Sequence, residues 1–254
     1  MLLPLLFLIT AALYATVGFG GGSTYNALLV LAGVEYRFLP FVSLACNLIV
    51  VSGGVFRFTC AGHLVPRQIL PWIMVSVPMA WLGGYLPIPE KMFVGILGLS
   101  LLAAGFLIIF QNKKDRYQLE NFSIRHSRIL PFIVGGGLGF LAGLTGIGGG
   151  IFLAPVLYLL RWGHARTIAG TCSLFILVNS LAGLAGHMMK LDHIHELYVP
   201  LAEYWMLFPA VFIGGQLGSY MGALRLRPDV IRIVTAILML YVASKLLWRW
   251  WGLA

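Results

Sequence analysis

The sequence predicts an all-α integral membrane protein built from two homologous halves, and three observations carry that prediction. The chain of 254 residues is 60% hydrophobic and 10% charged, with a mean hydropathy of +0.93, whereas soluble domains carry roughly 25% charged residues. Long stretches contain no Asp, Glu, Lys or Arg, and most have the ~20 residues that one spanning helix needs. A glycine knot, Gly18-Phe19-Gly20-Gly21-Gly22, interrupts the first of these stretches and returns as Gly146-Ile147-Gly148-Gly149-Gly150.

The charge-free stretches are Met1–Val34, Phe38–Phe56, Gln68–Pro89, Met92–Asn112, Ile129–Leu160, Thr167–Met189, Tyr204–Leu224 and Ile233–Ser244. The first and fifth are too long for one crossing. The opening segment has no basic residue ahead of its apolar part and contains Pro4, so it reads as mature structure rather than a cleaved leader. Cys46, Cys60 and Cys172 are an odd number without close pairing, and free thiols are the plain reading.

Four landmarks recur in order along the chain. Gly18 is matched by Gly146, Ser43-Leu44 by Ser173-Leu174, Pro78-x4-Gly83-Gly84 by Pro209-x4-Gly214-Gly215, and Pro89-Glu90 by Pro228-Asp229, at offsets of 128, 130, 131 and 139. The organisation predicted is a first membrane repeat over 1–112, a polar, basic cytoplasmic linker over 113–128, and a second membrane repeat over 129–254. Pro89 and Pro228 suit the start of a helix, and the acid after each favours the positive end of its dipole. Trp248, Trp250 and Trp251 fit an interfacial aromatic belt.

Loop charges decide how the two long runs are folded. If each is a broken, re-entrant hairpin with the knot near its tip, each half adds three transmembrane helices. Of 17 Lys and Arg, 12 then face the cytoplasm and 5 (Arg37, Lys91, Lys190, Lys245 and Arg249) the outside. A single crossing by each run gives 10 against 7 instead, a weaker fit to the positive-inside rule. With hairpins, each half crosses an odd number of times, so the halves are inverted repeats, an arrangement common among secondary transporters. The net charge of +9 is thereby explained without nucleic acid.

Three successive glycines at membrane depth break a helix and leave backbone N–H groups without partners. The helix restarting after each knot points those groups and its positive dipole end at one place, which suits an anion. The candidate binding residues are therefore Gly20, Gly21, Gly22, Ser23, Thr24 and Asn26 at the first knot and Gly148, Gly149 and Gly150 at the second. Ser43 and Ser173, which occupy equivalent places in the two halves, complete the set. The remaining polar residues of the spans, Asn47, Ser52, Ser76, Thr171, Asn179, Ser180, Gln216 and Ser219, read as helix-packing groups.

His193 and His195 lack the spacing of a helical metal pair. GxGGG without a preceding strand or a following Lys-Ser/Thr is no nucleotide loop. No nucleophile, base and acid form a set, so the expectation is a protein that is not an enzyme and needs no metal or cofactor. Its partners are a small anion and the lipid bilayer, and nothing in the sequence opposes a homo-oligomer.

The repeated GxGGG, with Ile151-Phe152-Leu153-Ala154-Pro155-Val156-Leu157 after the second copy, the later serine and the P-x4-G-G pattern, resembles the sulfite exporter TauE/SafE family, also called the toluene sulfonate uptake permease family. The resemblance implies a multi-pass permease of the bacterial inner membrane, with a duplicated helical core, that moves sulfite, sulfonates or related sulfur-containing anions. A secondary transporter of such an oxyanion is the reading adopted, with an anion channel of the same fold as the alternative. The first half departs from the pattern, with Ala27 at the position of Pro155. Glu35, Glu90, Glu203 and Asp229 all fall at span ends, whereas proton-driven carriers usually keep a carboxylate or His within the membrane. Any response to pH would then reside in the protonation state of the substrate itself.

Overall fold

The computed structural model describes residues 2–64, 66–110, 129–160, 162–163, 165–190, 204–224 and 228–252. The linker over 113–128 and the segment around His193 and His195 lie outside the described residues. Ten helices follow one another among the described residues: α1 Leu2–Ala15, α2 Gly22–Leu31, α3 Leu39–Cys60, α4 Pro66–Tyr85, α5 Glu90–Phe110, α6 Leu130–Thr145, α7 Gly150–Leu159, α8 Ala165–Met188, α9 Leu207–Leu224 and α10 Pro228–Gly252. Proline opens several of them, because its fixed φ suits the first turn and its missing N–H is not needed there. Pro40 does this in α3 and Pro131 in α6. Pro66 opens α4 and Pro228 opens α10, while Pro89 accepts from Phe93 N–H just ahead of α5.

The glycine knots end α1 and α6 and let α2 and α7 begin. Gly18, Gly21, Gly146, Gly148 and Gly149 all have φ between 68° and 94°, which turns the chain in a way a side-chain-bearing residue resists. After the turn α2 comes back beside α1. Phe7, midway along α1, stacks on Tyr25 in the first turn of α2 with ring centroids 4.5 Å apart. The Tyr14 hydroxyl lies 2.8 Å from Thr24 Oγ1. At the second knot, a Cβ at Gly149 would sit 2.9 Å from the Ala142 Cβ on α6.

Packing interleaves the two halves of the sequence. The most extensive contacts are those of α4 with α6, α1 with α9, α5 with α10, α4 with α8, α3 with α8 and α3 with α9. These pairs come in mates when α1–α5 are exchanged for α6–α10: α4–α6 becomes α9–α1, α4–α8 becomes α9–α3, and α3–α8 and α5–α10 map onto themselves. Two glycine seams make the closest approaches. Gly135, Gly139 and Gly143 of α6 lie against the backbone of Trp72, Ser76 and Ala80 on α4, and Gly214, Gly218 and Gly222 of α9 against that of Leu8 and Ala12 on α1 and of Thr16 just after it. Spacing by four puts small residues on one stripe, so two helices approach until backbones touch and dispersion and interhelical polar contacts replace lipid contacts.

The distribution of polarity is that of a protein whose solvent is lipid. Large apolar side chains lie outside, among them Phe56, Met74, Ile133, Phe212, Ile213 and Ile237, while Asn26, Ser43, Asn47, Ser173, Asn179 and Ser180 are fully buried. Among the described residues, α3 and the Arg166–Met188 part of α8 are long and apolar enough to cross a membrane by themselves, with mean hydropathies of 2.0 and 1.8. These two helices form the centre against which both knots rest.

Candidate functional site

Each knot docks on the first turns of the central helix from the opposite half. A Cβ at Gly18 would lie 2.5 Å from the carbonyl carbon of Ala169 in α8, and one at Gly146 2.7 Å from Cα of Pro40 in α3. The serines complete the exchange. Ser173 Oγ donates to the Gly18 carbonyl at 2.9 Å, and Ser43 Oγ lies 3.1 Å from the Gly146 carbonyl. Ser43 also reaches the Gly22 carbonyl at 3.0 Å, so a single hydroxyl proton is shared between the two knots. The equivalence of Ser43 and Ser173 read from the sequence thus corresponds to equivalent bonds.

The second knot is held more firmly than the first. Asn26 Nδ2 donates to the Thr145 carbonyl at 2.6 Å, and Asn47 Nδ2 to the Ile147 carbonyl at 2.9 Å. With Ser43 on Gly146, three successive carbonyls have side-chain donors from the first half. No such amide returns from the second half, where Ala154 stands at the position matching Asn26 and Leu177 at that matching Asn47. The two knots therefore differ at the pair Asn26 and Ala154, next to Ala27 and Pro155.

Satisfying the carbonyls leaves the amides. Among the described residues, the N–H groups of Gly20, Gly21 and Gly22, and of Gly148, Gly149 and Gly150, take part in no hydrogen bond, as the first turn of a helix predicts. Ser23 and Thr24 are buried behind the first knot, with Thr24 occupied by Tyr14. The structure therefore brings the glycines, Asn26, Ser43 and Ser173 together, and turns Thr24 toward α1.

Asn47 was not singled out by the sequence, although it lies one turn after Ser43 on the same face of α3, a spacing that could have revealed it. It sits between the knots: a Cβ at Gly20 would collide with Asn47 Oδ1, and one at Gly148 would lie 3.1 Å from Nδ2 and 2.8 Å from Ser180 Oγ. Neither Asn47 Oδ1 nor Ser180 Oγ has a hydrogen-bond partner among the described residues. No Asp, Glu, Lys or Arg is buried among the described residues, so the centre is polar and uncharged. Those residues also hold no group of three His, Cys, Asp or Glu suited to a metal.

Toward the C-terminal ends of the central helices the polar contacts change character. The Arg57 guanidinium on α3 donates to the Gln216 backbone carbonyl, to Gln216 Oε1 at 2.8 Å and to Ser219 Oγ at 2.9 Å, all on α9, and lies over the Tyr220 ring. The equivalent position on α8 is His187, whose Nε2 lies 2.8 Å from the Gly143 carbonyl of α6. Both residues tie a central helix to a neighbour, and the sequence alone pointed to neither.

A family model described as sulfite exporter TauE/SafE matches residues 3–246. The chain belongs to that family. TauE/SafE relatives agree along the full length: the chain is 31% identical over 250 residues to the probable membrane transporter protein y4hK of Sinorhizobium fredii, covering 97% of each chain. It is 24% identical over 278 residues to the probable membrane transporter protein YunE of Bacillus subtilis, covering 98% of this chain and 97% of the relative. No solved structure matches. As a TauE/SafE protein the chain is a membrane protein of a transporter family rather than of an enzyme family, with the lipid bilayer and a small-molecule substrate as its partners.

Proposed function

We propose that this chain is a secondary transporter of a small sulfur-containing oxyanion, such as sulfite or an organosulfonate, bound between the two glycine knots near mid-membrane. The observation that carries the reading is the pair of free amide sets, at Gly20–Gly22 and Gly148–Gly150, joined through Ser43 and Asn47 in an uncharged, buried centre. Six donors without acceptors among the described residues suit an electron-rich guest. Neutral donors also avoid the cost of an isolated buried cation when the site is empty. Ser23, Thr24, Asn26 and Ser173 support the glycines rather than supplying charge.

In this reading the two halves are inverted repeats in the bacterial inner membrane, and α1–α2 and α6–α7 are re-entrant hairpins. The mated helix contacts and the Phe7–Tyr25 stack support it. So does length: α2 and α7 have 10 residues each, and at 1.5 Å per residue each covers about 15 Å, half of a ~30 Å hydrocarbon layer. Each knot then lies close to the midplane.

Two measurements test these statements. Purified protein in proteoliposomes should take up labelled sulfite saturably and show counterflow, whereas flux that rises linearly without counterflow would make it a channel. For topology, exposed Cys60 at the end of α3 should react with an impermeant thiol reagent only after the cells are permeabilised. In a Cys60→Ser background, Met189→Cys just beyond α8 should react in intact cells. Labelling of both from the same side would overturn the inverted repeat.

A further inference from the structure

We propose that Asn47 makes the site selective for the singly protonated form of its oxyanion, so that the substrate carries a proton of its own through the membrane. The inference rests on the anion site described above and narrows its guest to oxyanions that keep a proton, such as hydrogen sulfite, setting organosulfonates aside. The Asn47 amide cannot be turned freely, because Nδ2 donates to the Ile147 carbonyl at 2.9 Å and the reversed amide would set oxygen against oxygen. The carbonyl Oδ1 therefore faces the first knot, against Gly20. It is fully buried and has no donor among the described residues.

The centre thus presents an array of N–H donors and, between the knots, the fixed acceptor Asn47 Oδ1; Asn26 Oδ1 is a second buried amide oxygen with no donor among the described residues. A fully deprotonated oxyanion can satisfy the glycine amides but brings a negative oxygen against the Oδ1 lone pairs. A hydrogen oxyanion satisfies both, accepting from the glycine amides through its bare oxygens and donating its O–H to Asn47. An unsatisfied or repelled buried acceptor is costly, so the protonated form is preferred by about tenfold or more. Because the proton arrives on the substrate, no membrane-embedded carboxylate is needed for transport to respond to pH.

Calorimetric titration of the purified protein in nanodiscs separates this from a preference for low charge. Three probes are used between pH 6 and 8.5: sulfite, which exchanges its last proton near neutrality; methanesulfonate, a monoanion with no proton to give; and sulfate, a dianion. The expected result is sulfite affinity that falls as pH rises in step with the hydrogen form, methanesulfonate at least about tenfold weaker than sulfite at pH 6, and sulfate weaker still. Asn47→Leu should bring sulfite and methanesulfonate to similar affinity at pH 6. Equal wild-type affinities for these two, or sulfite binding independent of pH, would overturn the role of Asn47 while leaving the anion site intact. If none of the three binds, the transport reading itself falls. The wild-type measurements decide the matter even if Asn47→Leu fails to fold.

Discussion

Gly143→Val is expected to yield no folded protein, whereas Gly137→Val, on the same helix, is expected to be tolerated. At Gly143 a Cβ would collide with the Ala80 carbonyl oxygen and lie 2.7 Å from its carbonyl carbon. Both partners are backbone, so no rotamer change relieves the contact. The seam between α6 and α4 would have to part along Gly135, Gly139 and Gly143 together, at a cost beyond the ~1–3 kcal/mol of ordinary overpacking. Gly137 is different. A Cβ there meets nothing within 4 Å, and valine improves on glycine in a helix by roughly a few tenths of a kcal/mol. Size-exclusion profiles of fluorescent fusions from matched cultures read the difference directly. Equal monodisperse yields from the two variants would mean that the seam does not hold the protein together.

The largest effect on binding is expected at Gly149. Its φ of 80° costs a residue with a side chain about 1–2 kcal/mol, so Gly149→Ala should bind anion roughly 5- to 30-fold more weakly. Gly149→Val adds two methyl groups to a Cβ from which the Ala142 Cβ and the Phe175 ring edge already lie only 2.9 and 3.0 Å away. To fit, the knot must swing its amides away, and binding should then be lost by a hundredfold or more. Titration with sulfite, on variants that keep the wild-type size-exclusion profile, gives the comparison. A well-folded Gly149→Val that binds as tightly as the wild type would remove the glycine amides from the site. Gly149→Ala supplies the same test if valine prevents folding.

Much of the site was legible because its cause is local. A run of three glycines does not break a helix by itself, since Gly135-Gly136-Gly137 stays helical within α6; the breaks come where Gly18, Gly21, Gly146, Gly148 and Gly149 take positive φ, and the free amides follow from them. The serines were found because duplication preserves spacing: Ser43 and Ser173 are 130 residues apart and bond the carbonyls of Gly146 and Gly18, which are 128 apart. The glycine seams carry an equally local signal, the four-residue spacing of Gly135, Gly139 and Gly143 and of Gly214, Gly218 and Gly222. That spacing does not recur between the halves, because the two seams lie on helices that are not equivalent. In one pair the glycines belong to α6, and in its mate to α9.

By itself, then, the sequence determined an all-helical membrane protein, two interruptions at equivalent places and the family, because hydropathy and glycine geometry act over a few residues at a time. Only the tertiary structure decided what the interruptions face. Asn26 and Asn47 reach carbonyls 119 and 100 residues away, and no pattern within α2 or α3 distinguishes an amide that ties two helices from one that meets a knot. Arg57 likewise reads as a cytoplasmic loop charge until α9 is packed beside it. The physical reason is the interleaving itself. Each knot is completed by side chains of the opposite half, so its chemistry is settled by helix packing, which depends on contacts that sequence spacing does not record.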